Sequence, residues 1–519
     1  MKRLCCLLLL LPIFAAAPAR PPRLVVQIVV GSMRAGDLDR YADRFGEGGF
    51  RRLLERGSLY TDCRYNFQLT TTPATLATLA TGAMPSMHGV VGESWIDYTT
   101  NRPVHLTDGS QGAGGYELIA PTLAETLCSR NPAGRAVSVA LESTPAVLLA
   151  GRTGNAYWVD DERGEWATSR YYASATPAWV ERLNTEGFNI GYLIPVWQQL
   201  LVQDAYRNTQ RHDIRLTLAN KRSVPLAAPR RFTPRTYAER LRYTPAGNSA
   251  VLGFAKQAVA HHELGTDEQP DLLNIYLDAS RRIAELYGPE SVEVEDTYYR
   301  LDRDLADFLD FLYAQVSPEE CLVVLTSDHG TSDACNDEDR RTERFNAQQF
   351  RVIVNGFLNV RYGTGAWVQS YKDRSLYLNR NLIYERNLDL GKVQSEVATF
   401  ATQFSGVAHA LSATALSSGS FGRGYAMRMQ NSFYPRRSGD VVLNLMPGRI
   451  EEQELVCSAS GSMYAYDTQV PLVFCGPGIP ARRIRREVDA TDVAPTLARL
   501  LEIAEPDASE GAPLPEIIE

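Results

Sequence analysis

The chain has 519 residues, with 53 Lys and Arg against 61 Asp and Glu, for a formal net charge of −8. Apolar residues make up 44% and charged residues 22%, which excludes a disordered chain, a collagen-like repeat and a disulfide miniprotein. A pI near 5.6 argues against sequence-independent nucleic-acid binding, which needs clustered cations to neutralise phosphates, so no nucleic-acid partner is expected.

Lys2 and Arg3 precede an apolar run from Leu4 to Phe14, and Ala15, Ala16 and Ala17 offer small residues for cleavage. Residues 1–17 are therefore expected to be a signal peptide, and the mature protein, residues 18–519, to be exported and periplasmic or secreted. The apolar run is shorter than the roughly 20 residues a membrane span needs, and no later segment reads as one. Six cysteines follow the signal: Cys63, Cys128, Cys321, Cys335, Cys457 and Cys475. In an oxidising compartment they could pair, but spacing does not choose a pattern.

Leu24–Val30, Leu272–Leu277, Leu322–Thr326 and Pro471–Phe474 are short, continuous apolar runs that read as buried parallel strands. A helical pattern runs from Val294 to Leu312, with Leu301, Leu305, Phe308 and Leu312 on one face. Another starts near Asp492 and carries Leu497, Leu500 and Leu501. Strands alternating with helices predict an α/β sandwich around a central, mainly parallel sheet. Residues 167–248 and 351–437 lack that rhythm, are rich in Tyr, Arg and Asn, and are expected to be two inserted cap regions. Arg482, Arg483, Arg485 and Arg486 read as a solvated turn.

In open α/β sheets chemistry collects where strands end at their carboxyl edge. The first strand ends at Gly31-Ser32-Met33-Arg34, the second at Asp278-Ala279-Ser280-Arg281. The third ends at Ser327-Asp328-His329-Gly330, which sets a carboxylate beside an imidazole. Thr70-Thr71-Thr72-Pro73 precedes a helical run from Ala74 to Ala80, so Thr72 fits an N-cap and Pro73 the first helical position. A threonine there is most simply a cap, although the positive helix end also suits a nucleophile.

Together these segments resemble the alkaline phosphatase superfamily, most closely its secreted PafA-type phosphate monoesterase branch, which is type I phosphodiesterase/nucleotide pyrophosphatase-like. Further matching anchors are Arg40-Tyr41, Gly48-Gly49-Phe50, Thr81-Gly82, His88-Gly89, Gly288 to Glu293, Glu295 to Tyr298 and Tyr466-Asp467-Thr468. The resemblance covers nearly all of the mature chain. It implies an alkaline-phosphatase-like α/β/α sandwich and two zinc ions about 4 Å apart. Six Asp and His ligands would hold them beside a Thr or Ser nucleophile at a helix N-terminus.

Carried over position by position, the resemblance puts the nucleophile on Thr72, with Thr71 the less favoured alternative. The ligand positions fall on Gly31, Arg281, Glu285, Asp328, His329 and Ser460, so Asp328 and His329 alone remain metal ligands, with low occupancy expected. Positions that grip phosphate fall on Glu93, Glu142 and Thr144. Two added carboxylates oppose a phosphate dianion, since like charges about 4 Å apart cost roughly 4 kcal/mol at an effective dielectric of about 20. Arg281 brings a permanent cation and is expected to hydrogen-bond Asp328 or Glu285.

The expected protein is therefore catalytically inactive or repurposed as a binding or scaffold protein. Thr72 would be idle, no cofactor is expected, and the partner would be a protein or ligand of the cell envelope. The alternative is a phosphate mono- or diester hydrolase with one zinc held by Asp328, His329 and a newcomer such as Asp278. A third possibility is metal-free chemistry with Thr72 activated by His329.

Overall fold

The run Leu24–Val30 forms strand β1 of a ten-stranded sheet, buried along its whole length. The computed structural model describes residues 20–192, 197–208, 236–333, 344–452 and 456–518. The expected signal peptide and Cys335 lie outside the described residues. The strands continue as β2 (Ser58–Arg64), β3 (Ser94–Asp97), β4 (Arg102–His105), β5 (Ala136–Val139), β6 (Asn155–Val159), β7 (Trp166–Ala167), β8 (Asp271–Leu277) and β9 (Cys321–Ser327). They end with β10 (Val368–Lys372), β11 (Ser375–Leu378), β12 (Val407–Ser412), β13 (Val441–Leu445), β14 (Gln469–Cys475), β15 (Arg482–Ile484) and β16 (Val488–Asp489).

The central sheet has the order β15-β2-β14-β9-β1-β8-β5-β6-β7, with β16 also paired to β2. β1 lies parallel to β8 and β9 in a register that aligns Val30 with Leu277 and with Ser327. The three strands therefore end flush, which brings Gly31, Asp278 and Asp328 to one edge. β14 departs from expectation. It contains Pro471–Phe474 but runs antiparallel to both β9 and β2. A continuous apolar run reports burial on both faces, not direction, and this strand enters the sheet from the loop at the same edge.

Alternation along β1 builds the sandwich. Val25 and Val29 join a core with α1 (Thr72–Thr81) and α2 (Ser143–Ala150), whose Leu76, Leu79 and Leu148 are buried there. Leu24, Val26, Ile28 and Val30 face the other layer, with α3 (Ala246–His261), α4 (Asp278–Tyr287) and α5 (Val292–Gln315). Each such side chain contributes roughly 1.5–3 kcal/mol on burial. α5 extends the predicted helix at both ends, starting from the Ser291 hydroxyl, which accepts the Val294 amide.

Residues 351–437 are more regular than the sequence suggests. α6 (Ala347–Tyr362) and α7 (Leu390–Ala401) share a separate core with a four-stranded antiparallel sheet of order β10-β11-β13-β12. Phe350, Val354, Trp367 and Leu443 are buried in it. Within 167–248 the described helices are short, except that α3 already begins at Ala246.

Arg482 and Arg483 lie on the exposed edge strand β15 rather than in a turn; Arg483 pairs with Asp39, and Arg486 with Glu516 at 2.7 Å. Among the described residues Cys63, Cys128, Cys321 and Cys475 are free thiols. Among the described residues no helix is long and apolar enough to cross a membrane.

Candidate functional site

Asp328 follows β9 directly and is fully buried. Its Oδ1 accepts the backbone amides of Ser32 at 2.9 Å and His329 at 2.8 Å. Its Oδ2 accepts the Tyr276 hydroxyl at 2.7 Å and the Thr72 hydroxyl at 2.9 Å. Ser32 reaches it from a left-handed backbone, φ 58°, a conformation that costs a non-glycine residue roughly 1–2 kcal/mol. Donors to an ionised group, worth about 1.5–3 kcal/mol each, offset that strain.

Thr72 is the first residue of α1, with Thr71 as its extended N-cap. The helix thus starts one residue earlier than predicted, and Pro73 occupies its second position, where a missing N–H is still harmless. The Thr72 hydroxyl is consequently free of capping and points at Asp328 and His329. His329 Nδ1 lies 2.6 Å from the Gly330 carbonyl, which can only accept, so Nδ1 carries a proton, while Nε2 faces the Asp328 Oδ2 at 3.2 Å. Thr72 Oγ1 stands 3.1 Å and Ser460 Oγ 3.2 Å from that Nε2. Thr72, His329 and Asp328 thus form one contact triangle, with the Ser460 hydroxyl on the outer side of the ring.

Arg281, on the first turn of α4, is 7% exposed. Its Nη1 donates to Glu285 at 3.0 Å, its Nη2 to Glu142 at 2.9 Å, and its Nε to the Tyr276 hydroxyl at 3.1 Å. The expected bond to Glu285 is present; Asp328 is reached only through Tyr276. Arg282 closes the group by donating to Glu142 at 2.8 Å and Glu285 at 3.2 Å. Burial works to raise the Glu142 pKa, but Arg282, Arg281 and Arg242 outweigh it and hold it at about 2. Two guanidinium and two carboxylate groups form a closed quartet. Glu142 is thus not a free negative charge opposed to phosphate, as the sequence suggested, but a counter-ion.

The structure gathers Thr72, Arg281, Glu285, Ser460 and Glu93 around one cavity of about 440 Å3, with Asp328 and His329 directly behind Thr72. Thr144 lies in the first turn of α2 and does not line it. Asp278 turns away from the alternative metal site: its Oδ2 accepts the Leu141 amide at 2.6 Å and its Oδ1 has no partner among the described residues. Burial, then the Glu142 charge, push its pKa up to about 8. Among the described residues no group of three or more His, Cys, Asp or Glu converges to hold a metal ion.

A family model described as type I phosphodiesterase / nucleotide pyrophosphatase matches residues 25–448. The chain belongs to that family. Alkaline phosphatase PafA of Elizabethkingia meningoseptica is 29% identical over 96% of this chain and 94% of its own length. A protein of Myroides odoratus named as a calcium-transporting ATPase is also 29% identical, over 98% of this chain and 96% of its own. The crystal structure of wild-type alkaline phosphatase PafA superposes with a TM-score of 0.88 at 28% identity, covering 97% of this chain and 100% of that one. The fold and the PafA-like branch of the alkaline phosphatase superfamily are thereby established.

Sequence reasoning missed four participants in this family member's cleft: Ser32, Tyr276, Arg282 and the β10–β11 turn at Asp373-Arg374. Arg282 follows Arg281 in sequence and lies three residues before Glu285, so helical spacing could have flagged it. Tyr276 alternates off the buried β8 run, and nothing local marks its hydroxyl as polar linkage rather than core.

Proposed function

We propose that this protein is a metal-free, non-hydrolytic member of its family, exported and repurposed to bind a ligand or protein of the cell envelope. One observation carries the reading: the Arg281 guanidinium stands at a position the resemblance gives to a zinc ligand, and each of its three nitrogens donates, to Tyr276, Glu285 and Glu142. The residues present do not fit a dinuclear zinc centre. Gly31 and Arg281 offer no ligand atom, Glu285 is neutralised by two arginines, and Ser460 is a weak donor to zinc. Asp328 uses Oδ1 on backbone amides and Oδ2 on two hydroxyls. The Thr72–His329 contact keeps a hydroxyl within reach of a base, but the cleft lacks the charge that would grip a transferring phosphoryl group.

The one-metal alternative relies on a newcomer such as Asp278 as third ligand, and among the described residues Asp278, Asp328 and His329 do not converge as a metal-holding group. Purified protein, equilibrated with zinc and desalted, tests the proposal through metal analysis and p-nitrophenyl phosphate mono- and diester assays. Substoichiometric zinc and no turnover are expected. Two retained zinc ions with hydrolysis would overturn it.

A further inference from the structure

The cations around the cavity are already matched. Arg281 and Arg282 are closed against Glu142 and Glu285, and Arg374 Nη1 stands 2.9 Å from Glu451 Oε1. Two carboxylates in the wall remain over. Asp373 and Glu93 line the cavity, and among the described residues neither carboxylate has a hydrogen-bond or ion-pair partner. Lys372, the nearest other cation on this hairpin, gives its ammonium to Ser94 at 2.7 Å.

Unusual backbone choices hold Asp373 there. Asp373 and Arg374 form the β10–β11 turn with φ 44° and 62°, both left-handed and neither a glycine. Opposite, Gly92 supplies the room: a Cβ on it would overlap Asp373 Oδ2. Burial, then Glu451 and Glu93, raise the Asp373 pKa to about 7, outweighing the pull of Arg374 and Lys372. On the cavity floor the Thr71 hydroxyl is buried without a partner among the described residues, beside the hydroxyls of Thr72 and Ser460. A volume of about 440 Å3 lies in the small-molecule range.

We propose that the cavity binds a small organic cation, a compound carrying a primary ammonium group, which Asp373 and Glu93 hold while Thr71 hydrogen-bonds its neutral polar end. The uncompensated charge is negative, so a phosphate ester is repelled where an amine is attracted. This rests on the reading of the site as metal-free, since a dinuclear zinc centre would reverse the charge of the cleft.

Calorimetric titration of the full chain at neutral pH and physiological salt tests it, with spermidine and glucosamine as amine probes and glucose and inorganic phosphate as controls. At least one amine is expected to bind saturably, with glucose and phosphate at least about tenfold weaker. Asp373→Asn tolerates the left-handed turn, so it should melt like the wild type while losing about tenfold or more in amine affinity. Glu93→Gln should lose less, being exposed at the mouth. Failure of both amines, tighter binding of phosphate, or unchanged affinity in Asp373→Asn would overturn the inference. Zinc content and ester turnover report separately on the metal-free reading, so the two can fail independently.

Discussion

Gly31 and Arg281 are fitted to each other: a Cβ placed on Gly31 would lie 2.7 Å from Arg281 Cβ and 3.1 Å from the Tyr276 hydroxyl. The backbone after β1 and the first turn of α4 thus approach too closely for any side chain at position 31. Gly31→Ala is expected to destabilise by about 1–3 kcal/mol, the usual cost of overpacking. Gly31→Asp should cost more and should not raise zinc retention while Arg281 stands. Urea denaturation with metal analysis measures both, and a wild-type midpoint for Gly31→Ala would show that the approach is looser than described.

Arg281 itself is the centre of charge balance. Its removal leaves Glu142, 2.9 Å away, with Arg282 and the more distant Arg242, and strips Glu285 of one of its two cations. Arg281→Ala is therefore expected to cost about 3–5 kcal/mol, the usual penalty for taking one member out of a buried ion-pair group. Arg281→Lys should recover only part, because an ammonium cannot span three acceptors in a fixed fork. A melting temperature equal to wild type for a fully folded Arg281→Ala would show that Arg281 does not carry the charge balance of the cleft.

Asp278 gives a pH signature. Burial, reinforced by Glu142, raises its pKa from 3.8 to about 8 in the folded protein. The folded chain then retains a proton the unfolded chain has lost. Stability from this group is complete below the unfolded value and is lost as pH rises through about 8. Asp278→Asn keeps an oxygen for the Leu141 amide but cannot ionise. Relative to wild type, the variant should gain stability steadily between about pH 4 and pH 8, by at most about 1.4 kcal/mol per unit, and level off above. Parallel pH profiles for the two proteins would remove Asp278 as a buried, proton-retaining acid.

The parts of this fold that were legible in sequence are those whose cause is local. β1, β8 and β9 announce themselves because strands buried on both faces are continuous apolar runs. The direction of β14 was not legible, since direction depends on which edge the preceding loop occupies. Arg281 and Glu285 could be paired from helical spacing, whereas Glu142 arrives 139 residues away in sequence from the start of another helix. Thr72 was misplaced by one position because a run of three threonines before proline permits two starts, and only the Thr75 amide bonding to the Thr71 carbonyl decides. The Asp373-Arg374 turn escaped notice because neither residue announces a left-handed pair as Asn-Gly would.

Tyr276 links the two halves of the cleft, and its hydroxyl offers the most direct test of that link. It accepts from Arg281 Nε at 3.1 Å and donates to Asp328 Oδ2 at 2.7 Å, so the cation is coupled to the carboxylate through one oxygen. Tyr276→Phe keeps the ring in its core but deprives Arg281 of an acceptor and Asp328 of a donor. The expected cost is about 1–3 kcal/mol. Thr72→Val removes the other donor to Oδ2, while Ser460 can still serve His329. Either single variant leaves Oδ2 with one hydroxyl donor; the double variant leaves it buried with neither, facing only His329 Nε2 at 3.2 Å. The double variant should therefore lose more than the sum of the singles, by about 0.5–3 kcal/mol, since the two donors share one acceptor. A double-mutant cycle by urea denaturation measures the excess. Costs that add to within about 0.5 kcal/mol would mean that Asp328 does not depend on these hydroxyls, and that Arg281 and Asp328 are neighbours without being coupled.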